Sequence, residues 1–122
     1  IAGAFRTAAD LVAASNPGAA AKMRTGADIA DRLVTAFANG DTSSVPALIK
    51  SLLPVFTEVA REFINNRTVL LALALGQIAL NFFVNHFPPS TVGAESLSAD
   101  SDVQAFRALP QFGCELKPER CK

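Results

Sequence analysis

Apolar side chains fall at Val45, Ile49, Leu52, Phe56, Val59 and Phe63, in steps of four, three, four, three and four. That alternation keeps one face of an α-helix apolar and predicts a helix turned toward a core. Asp41, Thr42, Ser43 and Ser44 stand before it as candidate N-cap oxygens, and Pro46 suits a first turn, where its missing N–H needs no partner. Pro54 removes the backbone bond toward Lys50, which predicts a bend around the core. Two more patterned segments precede this one. Phe5, Ala8, Ala9, Leu11 and Val12 share one face of a short first helix that ends at Asn16-Pro17-Gly18. From about Ala19 to Asn39, Met23, Ala27, Ala30, Val34 and Phe37 form the stripe of a second helix, widened by Ile29 and Leu33, and Asn39-Gly40 stops it.

The fourth segment, roughly Arg67 to Phe87, follows a cap from Asn65 or Asn66 and differs in kind, because Thr68 to Ala94 contains no Lys, Arg, Asp or Glu. A helix apolar on nearly every side has to be enclosed by other helices, by lipid or by a partner. Its narrow polar line is Gln77, Asn81 and Asn85, whose amides either bond to neighbouring elements or face a ligand. A membrane span needs about 20 mainly apolar residues, and the uninterrupted supply here is shorter. We therefore read it as the central helix of a bundle, sheathed by the chain's other helices, rather than as transmembrane. Gly26 and Gly76 are placed to let helices approach closely.

Pro88-Pro89 ends the fourth helix, and Ser90 to Asp100 reads as a connection. Ser101-Asp102-Val103-Gln104 has a capping-box pattern that predicts a short helix bearing Val103, Phe106 and Leu109, ended by Pro110. Gln111 to Lys122 reads as an irregular tail that Phe112 and Leu116 pin to the body. The organisation expected is thus a bundle over residues 1–87, followed by a linker, a short helix and a tail over 88–122.

Composition narrows the function. Eleven basic residues balance eleven acidic ones, which argues against nucleic-acid binding through phosphates. Nine Phe with neither Trp nor Tyr supply core rather than an interfacial aromatic belt. Cys114 and Cys121 are separated by six residues with no His among them, so a local disulfide is favoured over free thiols or a zinc site, and it points to an oxidising compartment. Asn66-Arg67-Thr68 fits a glycosylation acceptor, although such triplets arise readily by chance. The opening Ile1-Ala2-Gly3-Ala4-Phe5 shows no cleavable signal peptide and suits a processed terminus.

No constellation names a reaction. His86 is the only histidine and stands near a helix end, where a capping or surface role outweighs ligation or acid–base work without further partners. The carboxylates are scattered over polar helix faces, and the seven glycines form no phosphate loop. We expect no enzyme, no cofactor and no metal site.

The fold expected is all-α, an up-down-up-down four-helix bundle with a very apolar fourth helix, a short C-terminal helix and a disulfide-closed tail. Over residues 1 to 109 this layout resembles the small extrinsic helical-bundle subunits on the lumenal side of photosystem II, the PsbQ-like type. The resemblance is one of architecture. It implies a thylakoid-lumen protein that supports oxygen evolution by binding the membrane-embedded core. From the residues themselves, the expected role is that of an exported, non-catalytic protein docking on and stabilising a larger, membrane-bound complex, with Arg24, Arg32, Lys50 and Arg61 as candidate docking charges. Its compartment would be the thylakoid lumen, the periplasm or the extracellular space. Two alternatives stay open: a carrier of an apolar molecule or lipid in the bundle core, and a membrane-active or self-associating helical protein.

Overall fold

A computed structural model describes residues 1–87 and 96–116, with side chains for 1–87 and 101–114. It is all-α: α1 (Ala2–Val12), α2 (Pro17–Ala38), α3 (Val45–Glu62), α4 (Arg67–His86), α5 (Ser96–Arg107) and α6 (Phe112–Leu116). No strand occurs among the described residues.

Local chemistry sets most boundaries. The Asn16 side chain accepts the Ala19 N–H at 3.1 Å, and Pro17 occupies the first helical position, so α2 begins two residues before the apolar pattern does. Asn66 caps α4 in the same way through the Val69 N–H at 3.2 Å. Gly40 ends α2 with φ +75, a left-handed conformation that glycine adopts without strain. At α3 the expected hydroxyl cap is absent. Ser44 instead donates its O–H to Asp41, as does Ser43, so the carboxylate organises the turn. α3 continues through Pro54.

Short turns join α1 to α2, α2 to α3 and α3 to α4, and each helix stacks against chain neighbours or against α1. Two close approaches depend on glycine. A Cβ on Gly26 would stand 3.0 Å from the Phe5 ring, and one on Gly76 would stand 3.0 Å from the Ala4 Cβ. The α1–α2 and α1–α4 contacts therefore need these residues bare, as the sequence suggests.

α3 and α4 touch each other little, and the C-terminal segment bridges them: α5 lies on α3 and α6 on α4. Phe56 is the centre of this arrangement. Its ring meets Phe5 edge-on at 5.7 Å, Phe106 edge-on at 5.6 Å and Phe112 stacked at 6.4 Å. Val103, Phe106, Leu109 and Phe112 belong to the same buried core as α1 to α4. The segment expected to be a linker, helix and irregular tail thus carries core side chains, and its last described part is the helix α6 rather than irregular chain. α5 begins five residues ahead of the capping-box position, in a stretch free of Gly and Pro. The Pro88-Pro89 stop, most of the connection and Cys121 lie outside the described residues. Cys114 is half-buried in α6 and is not a free thiol.

Candidate functional site

Burial divides α4 lengthwise. Leu70, Leu73, Gly76, Gln77, Leu80, Phe83 and Val84 face the core. On the opposite side Leu71, Leu75, Ile78 and Phe82 are 60, 75, 58 and 45% exposed, in steps of four, three and four along one stripe. The expected sheath of helices therefore encloses only half of α4, and the outer half shows large apolar side chains to the surroundings. Val34 and Phe37 of α2 extend this surface, Phe37 meeting Phe82 edge-on at 6.4 Å. Both were expected in the core. They are partly bare because α1, antiparallel to α2 with Phe5 opposite Gly26, covers only the first part of α2. Leu33, one position away, turns inward in their place.

Polar groups bound the stripe at both ends, with Arg67 and Thr68 exposed at one and Asn85 and His86 at the other. The imidazole of His86 stacks on Phe82 at 4.2 Å, and its Nδ1–H donates to the Phe82 carbonyl at 2.9 Å. This histidine fixes a ring of the apolar surface. Among the described residues no three His, Cys, Asp or Glu side chains come together in a metal-holding group.

One flank of the stripe is the amide line. The Gln77 carboxamide, 1% exposed, donates to the Pro110 carbonyl and accepts the Phe112 N–H, both at 2.9 Å. Asn81 donates to Gln111 at 3.4 Å, and Arg107 donates to Asn85 at 3.1 Å. All three amides serve structure, but toward the C-terminal segment rather than toward α1 to α3. On the other flank Ile1 and, on α1, Gly3, Ala4 and Thr7 line a shallow hollow with Leu71 and Leu75.

Charge lies elsewhere. Arg6 pairs with Asp31, Lys22 with Glu58, and Arg24 with Asp10 at 3.4 Å, all on exposed surfaces of α1 to α3. The Arg6 guanidinium is held above its ordinary value, first by its hydrogen bond to Asp31 and then by the charge of that carboxylate. The four candidate docking cations do not gather. Arg24 and Arg32 stand about 12 Å apart along α2. Lys50 is half-buried on α3, and Arg61, further along α3, lines a cleft of about 290 Å³ with Thr57, Glu58 and Asp102. The ion pairs thus lie on α1 to α3, while the apolar stripe of α4 carries no charge between Arg67 at one end and Arg107, bonded to Asn85, at the other. The apolar side is the stronger candidate surface, and it was hidden in the sequence because an uncharged helix carries no polar position to mark its outer face.

The chain matches no protein-family model, and neither a curated protein nor a solved structure matches it.

Proposed function

We propose that the protein is a non-catalytic docking subunit, an up-down-up-down bundle of α1 to α4 that attaches through the outer face of α4 to a larger, membrane-associated assembly in an oxidising compartment. The exposed stripe of Leu71, Leu75, Ile78 and Phe82, bordered by polar ends and free of charge, carries this reading. Four large side chains in one row amount to roughly 500 Å² of open apolar surface, the size of the largest patch on a typical monomer, which is often functional. A Cys114–Cys121 bridge belongs to the same reading and contributes about 2 to 3 kcal/mol in the chain-entropy model. Through its layout, the lumenal side of photosystem II is the first assembly to test.

The decisive experiment is retention on native membranes followed by washing. Apolar contact is little weakened by salt, so binding persists in high salt and disappears in Leu75→Lys. Release by salt, with Leu75→Lys still bound, would transfer the role to Arg24, Arg32, Lys50 and Arg61 and reject the α4 face. A second reading, a membrane-active protein, has one observation in its favour: α4 is long and apolar enough to cross a bilayer, with 50% of its most apolar window buried. Release of vesicle contents by the purified chain distinguishes it from docking.

A further inference from the structure

Resting on the reading of α4 as a contact face, we propose that the free protein pairs with a second copy of itself, α4 against α4 and antiparallel, so that docking and self-pairing exclude one another. The geometry begins with the steps of four, three and four between Leu71, Leu75, Ile78 and Phe82, the spacing of a coiled-coil seam. A two-fold axis midway between Leu75 and Ile78 sets Leu71 against Phe82 of the second copy and Leu75 against its Ile78. The same axis sets Thr68 against its Asn85, so polar groups meet polar groups at both ends and apolar groups meet in the middle. Such an isologous contact closes on itself and leaves no stripe over.

Electrostatics choose the direction. Arg67 stands in the first turn of α4, the positive end of the helix dipole, where a cation is disfavoured. Antiparallel pairing brings it beside the negative end of the second copy's α4 dipole, whereas parallel pairing would bring two Arg67 side chains together. Between Thr68 and Asn85 there is no formal acid or base, so the seam itself is uncharged; the cations stand at its ends, where Arg67 faces His86 and the Arg107 that holds Asn85 of the second copy. The area sets the strength. Two stripes bury about 1,000 Å² in total, the lower limit for a specific interface, which implies a weak pair that a better-fitting partner displaces.

Sedimentation equilibrium of the full chain tests this. The 12.8 kDa monomer should approach twice its mass between roughly 1 and 200 μM, and Leu75→Lys should hold the monomer mass throughout with unchanged far-UV circular dichroism. Mixed Thr68→Cys and Asn85→Cys copies should form the heterodisulfide. A chain that stays monomeric, a dimer indifferent to Leu75→Lys, or cross-linking of Thr68→Cys to itself overturns the proposal. If the chain stays monomeric yet binds native membranes through Leu75, the pairing fails and the docking role stands.

Discussion

The Gln77 carboxamide accepts the N–H of Phe112 at 2.9 Å from 35 residues away, and its other end donates to Pro110. One fully buried side chain thereby fixes the backbone that enters α6. Gln77→Leu would leave the buried Phe112 N–H and the part-buried Pro110 C=O without this partner, which costs about 1 to 3 kcal/mol. Urea unfolding should show that loss, and amide exchange should rise over residues 101–114 well before it rises in α1 and α2. Equal exchange throughout would mean that the segment is held by its phenylalanines alone.

The same amides show where the sequence stops being informative. Helix identity was legible, since α1 to α3 follow apolar periodicity, α4 is one long apolar run, and Asn16, Pro17, Gly40 and Asn66 bound them as cap chemistry requires. Close approach at Gly26 and Gly76 was legible too. Direction was not. Gln77, Asn81 and Asn85 mark a polar line, yet nothing local tells that it faces residues 107–112, because that contact exists only after the chain returns. Likewise Val34 and Phe37 keep the core spacing but lie beyond the cover of α1. The docking stripe escaped for the complementary reason, that inner and outer faces of α4 have the same chemistry.

Gly26 and Gly3 should respond oppositely to alanine. Helix propensity favours alanine at both sites by up to about 1 kcal/mol, less near a helix end. At Gly3 a new Cβ meets nothing within 4 Å, so Gly3→Ala stabilises by a few tenths of that amount up to the full value. At Gly26 it meets three atoms of the Phe5 ring at 3.0 to 3.1 Å, and that ring, buried edge-on against Phe56, has nowhere to swing. Overpacking of this kind costs about 1 to 3 kcal/mol, so Gly26→Ala should lower the denaturation midpoint. A raised midpoint would show that α1 slides freely on α2.

Thr57 is buried on α3, and among the described residues its hydroxyl finds no partner. Valine has nearly its shape without the unpaired group, whose burial costs about 1 to 3 kcal/mol. Thr57→Val should therefore stabilise the protein by about 1 kcal/mol, raising Tm by roughly 4 °C. An unchanged or lower Tm would reveal that the hydroxyl has a partner in solution.

Asp41 gives the turn before α3 a definite pH response. Hydrogen bonds from Ser44 and then Ser43 hold its carboxyl below the usual carboxylate value. A folded value depressed below the unfolded one adds stability above the ordinary carboxylate range, and that contribution fades as pH falls through the folded value. The group is fully exposed, so the observable is its titration rather than global unfolding. By NMR its midpoint should lie low and rise further in Ser44→Ala than in Ser43→Ala; equal midpoints in all three proteins would sink the account.

Leu73 and Leu75 are two residues apart on α4 and should behave as if they belonged to different proteins. Leu73 is fully buried, and Leu73→Ala should cost about 3 to 5 kcal/mol through lost transfer energy and the cavity left behind. Leu75 is 75% exposed, so Leu75→Lys removes little that folding has buried and should change stability by under about 0.5 kcal/mol. Function should invert the order. At temperatures where both variants remain folded, Leu73→Ala keeps the outer stripe and should still bind membranes, while Leu75→Lys places a charge in the middle of the stripe and should not. Paired urea titrations and membrane-retention assays read both axes together. If Leu75→Lys unfolded the chain, the outer face of α4 would be core after all, and the docking surface would have to be sought among the charges of α2 and α3.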